Sequence, residues 1–173
     1  MACSAISAVT YTCLQNTGGV KNIYITNFEN VTGTTANGIG TLTDIDLSGS
    51  AKFQQFQFNR NTSSIEEEAT INLENGTTFY TQTVNLVIPR RQAATRDKIL
   101  VLASGQPKLA VIVEDQNGLF WFVGLENGAY LTSNKTGSGV KKDDANAYTL
   151  TLVGEEPDLA PEVDSSVISG ITA

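Results

Sequence analysis

The sequence predicts a mainly β fold with one long hairpin and a single flanking α-helix. Three features predict it. Several stretches alternate apolar and polar residues, which places the apolar side chains on one face of a strand. Two Asn-Gly pairs, Asn75-Gly76 and Asn117-Gly118, interrupt such stretches as hairpin turns do. One segment alone, following Pro89, carries convincing helical spacing.

Composition agrees. Charged residues make up 17% of the 173-residue chain, below the globular share, and Thr, Asn, Ser and Gly fill the gap. That length suits one domain with a sizeable core. The net charge of −7 argues against a surface that grips nucleic-acid backbones, which needs a basic footprint. Cys3 and Cys13 form no CxxC pair and no disulfide framework, and the start lacks a positive n-region, the first lysine being Lys21. A reducing cytoplasm is the expected site of synthesis. The sequons at Asn30, Asn61, Asn75 and Asn134 are then chance products of a Thr/Asn-rich chain.

In chain order, "KNIYITNFE" reads as a strand with Ile23 and Ile25 on one face and Tyr24 on the other. A Gly/Thr loop around Asn37 and Gly38 follows, then "TLTDIDLSG" and "AKFQQFQFNRN", the latter with Phe56 and Phe58 on one face. The long hairpin is "SIEEEATINLENGTTFYTQTVNLVIP". With a two-residue turn at Asn75-Gly76, Glu74 pairs with Thr77. One face then carries Ile65, Glu67, Ala69, Ile71 and Leu73, and the other Glu66, Glu68, Thr70, Asn72 and Glu74. The first face can pack on a core and the second cannot. An ordinary solvated face usually mixes both signs of charge, and this one holds carboxylates without a base.

"RRQAATRDKILVLASG" predicts a helix over about 90–104, with Ala93, Arg96, Leu100 and Ala103 on one stripe, Ile99 and Leu102 extending it, and Gly105 as the stop. Arg90, Arg91, Arg96 and Lys98 crowd its first half, where the helix dipole disfavours cations by about 0.3–1 kcal/mol each. Such a basic end suits a solvated face, or an acidic surface on a neighbouring copy. "KLAVIVEDQNGLFWFVG" is apolar on both faces and predicts a central hairpin, with Phe120, Trp121 and Phe122 filling the core. "AYLTSN" and "AYTLTLVG" close the sheet around a Gly/Lys loop. Residues 1–154 thus form the β domain, and 155–173, acidic and proline-bearing, predict a flexible or inter-subunit arm.

Catalytic constellations are sparse. The chain has no histidine, which removes Ser-His-Asp and Cys-His catalysis and His-ligated zinc. The glycines around Asn37 lack phosphate-loop spacing. Asp44 with Asp46, and Asp143 with Asp144, are isolated acidic pairs, too small a signal for a metal site. Among Glu66, Glu67 and Glu68, the same-face pair sits on an open sheet rather than in a cleft. The expectation is a non-enzyme without metal or cofactor.

The order of elements resembles the bacteriophage tail tube proteins and their relatives in contractile injection systems. The likeness is carried by "SIEEEATINLENGTTFYTQTVNLVIP", "RRQAATRDKILVLA", "KLAVIVEDQNGLFWFVG" and "AYTLTLVGEE", across roughly residues 20 to 156. It implies two packed antiparallel sheets, a β-sandwich or barrel-like body with the helix at its flank. It also implies hexameric rings stacked into a hollow tube in the virion tail, assembled in the host cytoplasm with other tail proteins as neighbours and no membrane. Glu66, Glu68 and Glu74 would face DNA passing through the lumen. Arg90, Arg91, Arg96, Lys98, Asn37 and Gly38 would lie at inter-subunit contacts. The alternatives are another virion assembly protein, such as a head–tail connector or capsid decoration protein, and a monomeric β-sandwich binding module with Trp121, Tyr130 or Tyr148 outside the core.

Overall fold

A computed structural model of the chain describes residues 8–9 and 16–173. Cys3 and Cys13 lie outside the described residues. The strands are β1 (Val20–Asn27), β2 (Val31–Ala36), β3 (Leu42–Leu47), β4 (Gln54–Phe56), β5 (Ser64–Asn72), β6 (Thr77–Pro89), β7 (Leu109–Asp115), β8 (Phe120–Val123), β9 (Ala129–Gly137), β10 (Ala147–Glu156) and β11 (Glu162–Val163). Two helices accompany them, α1 (Ala93–Ser104) and α2 (Ser165–Ile171). The fold is mainly β, as expected. No helix among the described residues is long and apolar enough to cross a membrane.

Strand β7 organises the architecture. It is flanked by β1 on one side and β8 on the other, and one bridge, Leu109 to Ala129, joins it to β9. From β8 the sheet continues through β11 to β3 and β2; from β9 it continues through β10 and β6 to β5. The two halves pack face to face. Ile23 and Ile25 of β1, Val111 and Val113 of β7 and Val123 of β8 meet Val84 and Leu86 of β6 and Leu150 and Leu152 of β10 in one core. Burying each such aliphatic side chain contributes about 1.5–3 kcal/mol.

The opposite face of β7 is buried too. Ala110 and Ile112, with Phe122 of β8, pack under Leu42 and Ile45 of β3, Phe53, Val163, and Ile168 and Ile171 of α2. Phe53 meets Phe122 edge to face, with ring centroids 6.2 Å apart. A strand covered on both sides must be apolar on both, so "LAVIV" is central for the reason its sequence indicates.

The segment from residue 155 onward is not a flexible arm. Strand β10 runs on to Glu156, β11 lies between β3 and β8, and α2 caps the second core. The Asp164 carboxylate accepts from the Ser166 amide at 2.8 Å and starts α2. Further anchors are the Ala160 amide donating to Glu67 at 2.7 Å and the Gln82 side chain donating to the Asp158 carbonyl at 3.2 Å. The buried Val163, Ile168 and Ile171 outweigh the acidic composition of the segment. The β11–β3 pairing is parallel, as is the isolated bridge between Phe53 and Thr172, while the other strand pairs are antiparallel.

Helix α1 begins at Ala93 rather than near 90, because Arg90 adopts φ 62° and Gln92 is extended. Its inward stripe is Thr95, Ile99 and Leu102, and Ile99 is its one buried residue. Arg96, Leu100 and Ala103, expected on the packed stripe, are exposed.

Candidate functional site

The half-sheet β9-β10-β6-β5 presents one face to the core and one to water. Pairing fixes which residues share the outer face. Glu66 lies opposite Thr83, which faces Val153; Glu68 lies opposite Thr81, which faces Glu155. Glu66 and Glu68 are two residues apart, about 7 Å along the strand, and Glu155 is two strands away, about 10 Å. All three are exposed. Further along, Thr151 donates to Asn85 at 3.1 Å and Asn85 donates to Ser64 at 3.3 Å, a polar chain across three strands. Lys135, opposite Thr149, is the one cation in these four strands and sits toward their other end.

Glu74 does not join this face. The Asn72 side-chain oxygen accepts from the amides of Glu74 (2.9 Å) and Asn75 (3.1 Å), so the turn is a four-residue loop, Leu73 to Gly76, and Asn72 pairs with Thr77. The register therefore differs by two residues from the expected one. A shift of two preserves the faces, so Glu66 and Glu68 keep their direction while Glu74 moves into the turn. The expected core face of the hairpin holds only at its base, where Gln82, Val84 and Leu86 are buried. Beyond Tyr80, which pairs with Glu156 at the end of β10, both faces are in water. Ile71 is 61% and Leu73 92% exposed there.

Glu67 points to the opposite side from Glu66 and Glu68 and holds the 157–161 segment through the Ala160 amide. Beside it, Gln82 is fully enclosed, donating to Asp158 and accepting from the Gly124 amide at 3.1 Å. Glu156 is buried as well, accepting from the amides of Asn127 (2.9 Å) and Glu126 (3.1 Å). Burial pushes its pKa up, and those amides offset part of the rise. Glu155 continues the alternation of β10 two residues beyond Val153, a signal in the sequence that the acidic composition of the following segment masks.

The remaining candidates divide between the two ends of this half-sheet. Arg90 and Arg91 follow Pro89, which pairs with Ala147, and the Arg90 amide donates to the Asn146 carbonyl at 2.8 Å. The Arg96 guanidinium pairs with its neighbour Asp97 at 3.2 Å, both exposed, and Lys98 is exposed on the same helix. Asn37 and Gly38 lie in the turn between β2 and β3. There the Asn37 side chain accepts from the amides of Ile39 and Thr41, both at 3.0 Å. This turn approaches the Pro157–Pro161 segment and Tyr80 across a groove of about 470 Å³. The structure thus brings Asn37 and Gly38 near the acidic end, and the arginines near the other.

Among the described residues, no three Asp, Glu or Cys side chains cluster as a metal site would require. Asp44 and Asp46 are exposed on β3, and the Asp44 carboxylate is engaged by the Ile45 amide. No protein-family model matches the chain, and no curated protein matches it.

Proposed function

We propose that this chain is a self-assembling structural subunit of the bacteriophage tail tube class, forming rings that stack into a hollow conduit for DNA. The observation that carries the reading is the outer face of β9-β10-β6-β5. It is rich in threonine, acidic through Glu66, Glu68 and Glu155, and covered by no other element among the described residues. Two strand edges bound it. Among the described residues, β5 pairs only with β6, and β9 from Leu131 to Gly137 pairs only with β10.

Unpaired edges of this length are templates for strand addition, which soluble monomers avoid. Here the two edges run antiparallel to each other. The β5 edge of one copy can therefore continue the ladder along β9 of the next without inverting either subunit. An edge-to-edge contact of this heterologous kind repeats at a constant rotation, and it closes into a ring when that rotation divides a full turn. A hexamer would contribute roughly two dozen strands to one barrel, above the size at which barrels enclose a water-filled channel. The acidic face then lines the bore. DNA carries one charge per about 1.7 Å, so a carboxylate wall repels it. Screening limits that repulsion to about 8 Å at physiological salt, so the duplex passes without adhering.

The binding-module alternative needs an exposed aromatic platform. Tyr148 is in the core, Trp121 is half-buried with its indole N–H on Asp115 at 3.3 Å, and the two aromatics of the outer face, Tyr130 and Phe79, are two strands and four residue positions apart and form no single platform. The test is negative-stain imaging with light-scattering mass across concentration. Hollow rings or tubes of uniform width support the proposal, and an 18.5 kDa monomer at every concentration overturns it. In assembled particles, Glu66→Lys, Glu68→Lys and Glu155→Lys together should leave the tube intact and arrest DNA passage; unchanged passage would remove the role given to the acidic face.

A further inference from the structure

The half-sheet β9-β10-β6-β5 is electrically polarised along its strands. Where β9 ends and β10 begins, the loop 138–146 carries Lys141 and Lys142 at its tip and Asp143 and Asp144 behind them, and Arg90 and Arg91 beside it leave this end net positive. Where β10 ends, about 30 Å away along its ten residues, the groove under the β2–β3 turn is rimmed by Glu126 and Asp158. Its lips are Ile39, 89% exposed, and Leu159; its floor includes Leu125 and Tyr80. Both walls are held in place, one by the Asn37 turn and the other by Glu67 and Gln82.

The loop is also built to a fixed shape. The Asp144 carboxylate accepts from the amides of Val140 (2.6 Å) and Lys141 (2.8 Å). Gly139 has φ 71°, and a side-chain carbon there would lie 2.2 Å from the Asp144 Cβ, so only glycine fits. The result is a capped loop that holds Val140, 99% exposed, at its tip between glycine and two lysines.

We infer that the groove is the receptor for loop 138–142 of a second copy, and that this contact joins rings end to end with a single polarity. The inference rests on the self-assembly reading above. Val140 supplies the apolar knob for a groove lipped by Ile39 and Leu159. The lysine stems lie on the apolar walls while their ammonium groups reach Glu126 and Asp158. Knob and receptor lie at opposite ends of the same sheet. Each copy therefore offers one of each, and the contact propagates along the strand axis rather than closing on itself. It is independent of the β5 and β9 edges that would close a ring.

The test uses the full chain with Lys141→Glu and Lys142→Glu, and then the same chain with Glu126→Lys and Asp158→Lys added. All four positions are exposed, and thermal melts check that folding is retained. Ring mass is read by light scattering and tube length by electron microscopy. The first variant should form rings and raise about tenfold or more the concentration at which they join; the fourfold variant should restore tubes. Tubes of unaltered length from the first variant, or no recovery in the fourfold one, overturn the contact while leaving ring assembly standing. An unaltered chain that stays monomeric overturns both.

Discussion

Two of the Asn-Gly hairpins, β5–β6 and β7–β8, share a turn design and differ in everything their strands meet. In β5–β6 the oxygen of Asn72 gathers the amides of the turn; in β7–β8 the carboxylate of Asp115 does the same for Asn117 (2.8 Å) and Leu119 (3.0 Å). Gly76 (φ 65°) and Gly118 (φ 82°) supply the left-handed position in each. Yet β7 is buried on both faces by two cores, while the outer half of β5–β6 is in water on both. The turn decides where a hairpin reverses. The side chains along its strands decide whether it becomes the centre of a fold or a projection from it.

That contrast can be broken most forcefully in the buried hairpin. Ile112→Ala should cost about 2–5 kcal/mol in denaturant unfolding, because the cavity opens beneath α2 and Phe122. Ile71→Ala, the same chemistry on the projecting hairpin, should change stability by no more than about 0.5 kcal/mol. Equal losses at the two sites would mean that the hairpin tip is packed in solution.

A smaller effect is expected where the two hairpins are tied together. Gln82 of β6 accepts from Gly124, just beyond β8, and donates to Asp158. Gln82→Ala leaves both backbone groups without a partner and should cost about 1–3 kcal/mol. It should also raise amide exchange at Gly124 ahead of global unfolding; an unchanged exchange rate there would refute the tie.

The smallest expected effect is a slope. The folded pKa of Glu156 lies above the ordinary 4.5, so between those two values the folded state holds more proton than the unfolded state. Its contribution to stability is therefore most favourable below 4.5 and declines as pH rises through the folded pKa. Glu156→Gln should flatten stability against pH in that window. A slope as steep as that of the unaltered chain would show that other groups produce it.

The parts of this fold legible in the sequence are those with a clean period. Alternation in "SIEEEATIN" separates Ile65 and Glu67 from Glu66 and Glu68 whatever the register, since a slip of two residues preserves the faces. The doubly apolar run of β7 declares a central strand. Loop length at Asn75-Gly76 is not legible, because Asn72 competes for the turn amides and its side chain acts three residues before the motif. The 155–173 segment is misleading for a different reason. Its buried apolar residues, Ala160, Val163, Ile168 and Ile171, are few and irregularly spaced, and both of its elements are too short to show a period. Glu156 has no sequence signature at all, since its partners are backbone amides.

The placement of β11 also sets an order of events during synthesis. Strands β2 and β3 reach the rest of the sheet only through β11, which leaves the ribosome more than a hundred residues after them. A nascent chain halted before residue 157 lacks β11, α2 and one wall of the groove under the β2–β3 turn. Its early strands can form, but the surface proposed to receive a neighbour is still missing. On the assembly proposed above, the end-to-end contact would therefore wait until residues 157–171 have been translated, whereas the β5 and β9 edges are complete before them.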